Sequence, residues 1–385
     1  MTRSTVTYIG CQFFDGYRLH DGKAACFRDG VFSGLIPEMD VNEDGKVVTL
    51  NGGILSPGYV DLQVNGGDGV MFNDDPSVET LKRIASAHRC LGTATILPTL
   101  ITDTPEKTKA SIDATRSAIR SGVPGIAGLH LEGPHLSVAR KGAHDADLIR
   151  PMEDTDLLHL LEAKTELPVL KVTIAPESVS LDQVAKLAAA GILVSLGHTD
   201  TDFATCRSYA EAGARCVTHL FNAMSQIGSR EPGLVGATLA TGTLSAGLIA
   251  DGIHVHPAAM RLAWDSKFGP GRIFLVSDAM AVAGTTETEF LLEGRCISRK
   301  DGRLTLEDGT LAGADLDLTT AIRVLTKDVG IAMEEALQAA TTIPGALIDH
   351  QVAAEPGMTR LADMIHITSG MRHATSLEPY IQTPA

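Results

Sequence analysis

From Ser56-Pro57-Gly58 onward the chain keeps one rhythm, a short apolar run followed by a longer stretch of helical periodicity. The runs are Tyr59–Val64, Thr93–Pro98, Gly125–Leu131, Val169–Ile174, Ile192–Gly197, Arg215–Leu220, Ser245–Ala250 and Arg272–Ser277, eight in all. Between them, segments such as VETLKRIASAHRCLG and PEKTKASIDATRSAIRSG place apolar residues near a 3.6-residue period, the mark of amphipathic helices. Strands that are apolar almost throughout must be buried on both faces. Eight of them alternating with helices are what a closed parallel barrel with a helical jacket requires. The predicted class is α/β, a (β/α)8 TIM-like barrel over residues 57–345. An open doubly wound sheet is the alternative, but no GxGxxG follows the first run, which removes the usual support for dinucleotide binding.

The flanks read differently. Residues 1–56 are β-rich, with turn signals at Asp15-Gly16, Asp29-Gly30 and Asp44-Gly45, and MTRLADMIHIT near the other end reads as a further strand. Residues 1–56 plus 346–385 are therefore expected to form one small β-sandwich domain built from both termini, with the acidic cluster Glu38, Asp40, Glu43 and Asp44 at a solvated hairpin tip. Alternating residues and the turns Asp301-Gly302 and Asp308-Gly309 predict a β-hairpin inserted near 285–312.

A formal net charge of -15 argues against nucleic acid and anionic membrane as partners, since both need a cationic face. The N-terminus lacks an export signal and no apolar run reaches membrane-spanning length, so the expected location is cytoplasmic. Six cysteines without CxxC spacing read as free buried thiols.

Barrel enzymes place their chemistry at the C-terminal ends of the strands, and the unusual polar residues of this chain gather there. The first run ends in Gln63 and Asn65, the third in His130, Glu132 and His135, the fifth in His198, the sixth in His219 and Asn222, the seventh in Asp251 and His254, and the eighth in Asp278. A lone histidine at a strand end is often only a cap. His198 and His219, however, end two strands joined by a single helix, so both face one mouth. With Glu132 they offer two imidazoles and a carboxylate, a common set for one catalytic divalent ion; Zn²⁺ suits it best, and Fe²⁺, Mn²⁺ or Co²⁺ would fit. Asp278, after four apolar residues and a serine, is predicted to be buried and to serve as the general base that deprotonates water and then protonates the leaving group.

Beyond these residues, the motifs PGYVDLQVNGG, GTATILPTLIT, GLHLEGPHL, KGAHD, TIAPE, SLGHTD, VTHLFNAM, REPGLVG, ADGIHV, LVSDAM and GTLAGAD run through nearly the whole barrel. Together they make the chain resemble the N-acetylglucosamine-6-phosphate deacetylase family of the amidohydrolase superfamily. The resemblance implies hydrolysis of the N-acetyl group of N-acetylglucosamine 6-phosphate to glucosamine 6-phosphate and acetate. It implies Glu132, His198 and His219 as metal ligands and Asp278 as catalytic acid and base. It also implies His144, Asn222, Ala223, Arg230 and His254 as sugar and phosphate contacts, and a homodimer, since some family members draw phosphate contacts from a neighbouring subunit. Where many amidohydrolases carry His-x-His for a second metal, this chain has Gln63-Val64-Asn65, so the resemblance is to the single-metal branch, with Gln63 and Asn65 expected to line the pocket. His135 is a further candidate for touching the sugar, and His254-Val255-His256 is weighed as a second metal motif. TIPGALIDHQ and TRLADMIHIT depart from the family pattern, outside the site.

Two other readings stand beside this one. A relative acting on another acylated amine, such as N-acetylgalactosamine 6-phosphate, would keep the residues that activate water and change the pocket. A barrel that serves only as a scaffold would show damaged metal or base positions, and all four are intact.

Overall fold

The computed structural model describes residues 5–42 and 45–377. Glu43 and Asp44 of the expected acidic tip lie outside the described residues, as do residues 378–385. The chain folds as a (β/α)8 barrel. Its strands are β1 (Tyr59–Val64), β2 (Thr93–Ile101), β3 (Gly128–Glu132), β4 (Val169–Ile174), β5 (Leu193–Leu196), β6 (Cys216–Val217), β7 (Ser245–Leu248) and β8 (Ile273–Leu275). Each pairs in parallel with the next, and each falls on one of the eight apolar runs. Hydrogen bonds beyond the end of β8 close the ring: Asp278 N–H donates to the Gln63 carbonyl at 3.1 Å, and Asn65 N–H to the Ala279 carbonyl at 2.9 Å.

A helix follows every strand: α1 (Val78–Cys90), α2 (Pro105–Arg120), α3 (Asp154–Glu166), α4 (Leu181–Ala189), α5 (Phe203–Ala212), α6 (Gly233–Ala240), α7 (Pro257–Ser266) and α8 (Leu318–Val324). Local sequence starts many of them. Ser77, Thr104, Ser180, Asp202 and Asp317 each accept a backbone N–H of the first turn, and Pro105 and Pro257 occupy first helical positions that need no donor. The apolar stripe of each helix packs on the outward residues of the strands, and one core cluster runs through this layer from Val60 and Leu62 to Phe274 and Leu337. No helix among the described residues is long and apolar enough to cross a membrane.

The terminal segments form two sheets. One holds Thr5–Ile9, Lys23–Arg28, Val31–Pro37 and Lys46–Thr49; the other holds Gln12–Phe14, Leu19–His20, Ile54–Pro57, Met364–Ile367 and Ala374–Ser376. Met364–Ile367 runs antiparallel to Ile54–Pro57, so the two ends of the chain complete one sheet. Tyr8, Phe27 and Phe32 from the first sheet meet Phe13, Leu55 and Met364 from the second in a separate core, where the Phe13 and Phe32 rings stack at 5.2 Å. This is the small sandwich. In its first sheet's connections, Glu38–Asp40 make a short 3-10 turn, and Glu38 accepts the Gly10 N–H at 2.6 Å. The six cysteines are free; Cys206 and Cys216 are buried, whereas Cys90 and Cys296, expected to be buried, are exposed.

Between β8 and α8 the chain leaves the barrel for a four-stranded antiparallel sheet, Glu289–Leu292, Arg295–Lys300, Arg303–Thr305 and Leu311–Ala314. Its buried Leu292, Ile297 and Leu304 pack with Met280 and Met71 from the barrel, and Ala314 N–H donates to the Asp278 carbonyl at 2.9 Å. The sheet thus forms one wall of the barrel mouth.

Register inside the barrel leaves little slack. Gly128 faces Val169 across the β3–β4 pair, and a Cβ at Gly128 would collide with the Val169 carbonyl oxygen and side chain. Gly128→Ala is expected to destabilise the fold by about 1–3 kcal/mol or more through overpacking against backbone, read as a lower urea midpoint at unchanged slope. An unaltered midpoint would contradict this close approach.

Candidate active site

Glu132 is the last residue of β3, while His198 and His219 lie just past the ends of β5 and β6. All three side chains are buried, and their ligand atoms converge. Oε1 of Glu132 stands 3.1 Å from Nε2 of His198 and 3.0 Å from Nε2 of His219, and the two Nε2 atoms are 3.0 Å apart. The backbone contributes directly. His198, His219 and Asp278 have φ of 48°, 31° and 50°, in the left-handed region that non-glycine residues rarely enter. Such strain costs on the order of 1–3 kcal/mol per residue and persists where surrounding structure enforces it. Here Glu177 contributes beside one such turn, accepting the Thr199 hydroxyl at 2.6 Å and the Asp200 N–H at 2.8 Å just after His198.

This donor triangle fits a divalent cation. Nδ1 of His198 bonds the Arg140 carbonyl at 2.9 Å, and a carbonyl can only accept, so the ring proton sits on Nδ1 and Nε2 keeps its lone pair. That lone pair faces another imidazole nitrogen and a carboxylate oxygen, an arrangement that is repulsive without a positive centre among the three. The same field shows in proton affinity. Burial opposes a charge on His219, but Glu132 beside it prevails and raises its pKa. Burial alone would raise Glu132, yet the two histidines beside it hold it well below the usual carboxylate range.

Asp278 stands beside this centre, against the end of strand β1. Nδ2 of Asn65 donates to its Oδ1 at 2.8 Å, and Nε2 of Gln63 lies 3.1 Å from the same oxygen and 3.2 and 3.1 Å from the two oxygens of Glu132. Burial and then the nearby Glu132 charge push the pKa of Asp278 up.

A cavity of about 260 Å³ opens over these groups, near the small end of the roughly 300–1,000 Å³ common for ligand pockets. Asn65, Glu132, His144, His198, His219, Asn222, Ala223, His254 and Asp278 all line it. His144 accepts the Thr102 N–H on Nδ1 at 3.3 Å, which leaves its ring proton on Nε2, and burial pushes its pKa down to about 3, so the ring is neutral. His254 is oriented by Asp251, Nδ1 to Oδ2 at 2.6 Å, while that carboxylate also accepts the N–H groups of Ile253 and His254.

Other predicted positions fall elsewhere. Gln63 is fully buried behind the two carboxylates and is not part of the lining. Arg230 is exposed on the loop before α6, outside the lining. His135 lines a separate cavity of about 430 Å³ between α2 and α3, where Nδ1 bonds the Arg150 carbonyl. His256 is outside the lining and caps α7, its Nδ1 accepting the Ala258 N–H at 3.1 Å. The sequence reading missed Thr310, Leu311 and Gly313 of the inserted sheet, which line the cavity, and Asp61 and Lys171, buried in the barrel interior. A polar residue in the middle of an apolar run was the available signal for the last two.

Comparison with known proteins agrees with this geometry. The amidohydrolase family profile matches residues 54–348. The N-acetylgalactosamine-6-phosphate deacetylase of Shewanella sp. (strain ANA-3) is 39% identical over 346 residues, 89% of this chain and 87% of that protein. The N-acetylglucosamine-6-phosphate deacetylase of Haemophilus influenzae is 33% identical over 343 residues, 88% of this chain and 89% of that protein. The crystal structure of N-acetylglucosamine-6-phosphate deacetylase from Pasteurella multocida superposes with a TM-score of 0.89 at 30% identity, covering 96% of this chain and 97% of that one. Since the family match begins at the strand that leads into β1 and runs on past α8, through every element that carries the converging side chains, this chain belongs to the amidohydrolase family.

Proposed function

We propose that the protein is a metal-dependent deacetylase that hydrolyses the N-acetyl group of N-acetylglucosamine 6-phosphate, releasing acetate and glucosamine 6-phosphate. The observation that carries this reading is the facing of the buried Glu132–His198–His219 triangle by a buried carboxylate, Asp278, within one sugar-sized cavity. The galacto epimer is the second reading, favoured by the 39% identity to the Shewanella N-acetylgalactosamine-6-phosphate deacetylase. Acetate release from the two 6-phosphorylated epimers, compared as kcat/KM, decides between them, and no release from either overturns both.

Glu132, His198 and His219 would hold one divalent ion; two imidazoles and a carboxylate suit Zn²⁺ best, with Fe²⁺, Mn²⁺ or Co²⁺ also compatible. When bound, such an ion acts as a Lewis acid towards carbonyl oxygen and lowers the pKa of water. The chain's own groups then have distinct tasks. Asp278 takes a proton from the attacking water and returns it to the departing nitrogen. Neutral His144 presents the cavity with a ring whose proton is on Nε2. Asn222, Ala223 and His254 contact the sugar. Arg230, an exposed planar cation in an acidic protein, is placed to grip a phosphate, and its position off the lining supports a homodimer in which a partner copy brings it to the site. Free cysteines and a phosphorylated substrate support a cytoplasmic location.

Three outcomes check this reading. Glu132→Gln should weaken zinc binding by more than the roughly 10–100-fold that losing an outer partner costs, measured by competition with a chelator; unchanged affinity would place the metal elsewhere. Asp278→Asn should lower kcat by about 10²–10⁴-fold with zinc content retained, and a near wild-type rate would remove its assigned role. Arg230→Ala should raise KM for the phosphorylated sugar at least about tenfold while sparing the dephosphorylated analogue, the pattern of lost uniform binding; equal effects on both would contradict the phosphate contact.

A further inference from the structure

Two amide side chains of β1 and the loop after it are committed to one oxygen of Asp278. Asn65 donates Nδ2–H to Oδ1 at 2.8 Å, and the Gln63 amide nitrogen stands 3.1 Å from that same atom while also reaching both oxygens of Glu132. Their orientation is fixed by charge. Reversing the Gln63 amide would set its carbonyl oxygen against three carboxylate oxygens, so the NH2 group must point inward. The consequence is visible on the other side: Oε1 of Gln63 and Oδ1 of Asn65 are buried without a hydrogen-bond partner. Leaving two carbonyl oxygens unpaired is unfavourable, and it persists because the carboxylates hold the donors. The backbone fixes the spacing, since Asp278 N–H donates to the Gln63 carbonyl and Asn65 N–H to the Ala279 carbonyl. Oδ2 of Asp278 receives none of these donors, and Asp278 lines the cavity.

We propose that Gln63 and Asn65 are positioning residues that commit Oδ1 of Asp278 to accepting amide N–H groups, so that Oδ2 alone carries the proton during hydrolysis. An oxygen already receiving two N–H donors has lost proton affinity, and its partner has not. In the step this implies, the oxygen of water bonds to the acetyl carbon while one water proton passes to Oδ2. Oδ2 then gives that proton to the nitrogen as the C–N bond breaks and its electron pair leaves with the amine. The amides touch neither water nor sugar in this step; they keep the carboxyl group from turning, so the same oxygen both takes and returns the proton. The catalytic consequence rests on the proposed deacetylation, whereas the oxygen assignment itself does not.

Asn65 touches Asp278 and not Glu132, so it separates this role from metal binding. In zinc-loaded protein, Asn65→Leu should lower kcat for acetate release from N-acetylglucosamine 6-phosphate by about 10–100-fold, the loss expected for a hydrogen bond to a charged group, with KM and zinc content within about twofold. In the Asp278→Asn background the same change should alter the residual rate by less than about threefold, because the partner it acts through is gone. Equal fold losses in both backgrounds, or a rise in KM at constant kcat, would overturn the proposal. Asn65→Ala, which removes the donor without added bulk, carries the same comparison should Asn65→Leu not fold. An infrared readout is independent of substrate: the carboxylate band lost in Asp278→Asn should shift in Asn65→Leu or Asn65→Ala. A shifted band in a protein that releases no acetate would leave the oxygen assignment standing and sink the deacetylase reading; an unmoved band would sink the assignment itself.

Discussion

The seam where the chain beyond β8 meets β1 holds both the barrel and its chemistry together. At this closure the ladder is made partly by side chains: the carboxylate of Asp61, fully buried on β1, accepts the N–H groups of Ser277 and Gln63. Burial pushes the Asp61 acid up to about 7, against the pull of its Ser277 contacts. A buried acid at a sheet closure is an expensive way to join two strands unless every acceptor is used, and here the amides of both strands use it. Because the same few residues include Gln63, Ser277 and Asp278, the hydrogen bonds that shut the barrel also fix where the Asp278 carboxyl group stands.

Electrostatics extends the constraint across the interior. Glu132, Asp278 and Asp61 bring three buried carboxyl groups into one barrel, and Lys171 on β4 is the one buried lysine or arginine among the described residues. Burial lowers the pKa of Lys171, with its ammonium directed at the Leu62 carbonyl at 3.5 Å. Beneath the mouth a polar layer links the strands: Thr99 to Nδ1 of His130, Nε2 of His130 to Thr173, Thr173 to Thr218, and Thr218 to Ser195. This layer keeps the base of the site satisfied by hydroxyls and a neutral imidazole, so the negative charge of Glu132 and Asp278 is concentrated at the strand ends above it, where a divalent cation is attracted most.

Much of this was legible in the sequence because a parallel barrel imposes simple rules. Strands buried on both faces had to be apolar runs, and polar residues that interrupt their ends are costly unless gathered together; Glu132, His198, His219 and Asp278 stand at such ends and line one cavity. What stayed hidden depends on distances the sequence does not encode locally. Asp61 and Gln63, like His130 and Glu132 or Lys171 and Thr173, alternate on one side of a strand, and only barrel closure turns that side into an interior. Gln63 was read as a pocket residue because it ends a run, yet the neighbouring Glu132 and Asp278 claim its amide before a ligand could. The inserted sheet offered turn signals but no sign that Thr310, Leu311 and Gly313 would reach back over the mouth.

The cavity walls divide the labour between reaction and recognition. Glu132, His198, His219 and Asp278 come from strand ends, and Asp278 is tied to the barrel by the seam, so it cannot shift without opening it. Much of the remaining lining comes from the loops after β6 and β7, the loop that carries His144 and the inserted sheet, all free to vary in shape over a fixed floor. Among the described residues no lysine or arginine lines the cavity, so in the proposed reaction an anionic group on the substrate would be met at its rim, away from Glu132 and Asp278. In the proposed reaction, a phosphate held there and an acyl group held over the triangle would leave the sugar ring spanning the loops between them. In that reading, discrimination between gluco and galacto epimers would fall on loop residues and not on the strand ends. Proteins named as deacetylases for either sugar are accordingly 39% and 33% identical to this chain over 346 and 343 residues.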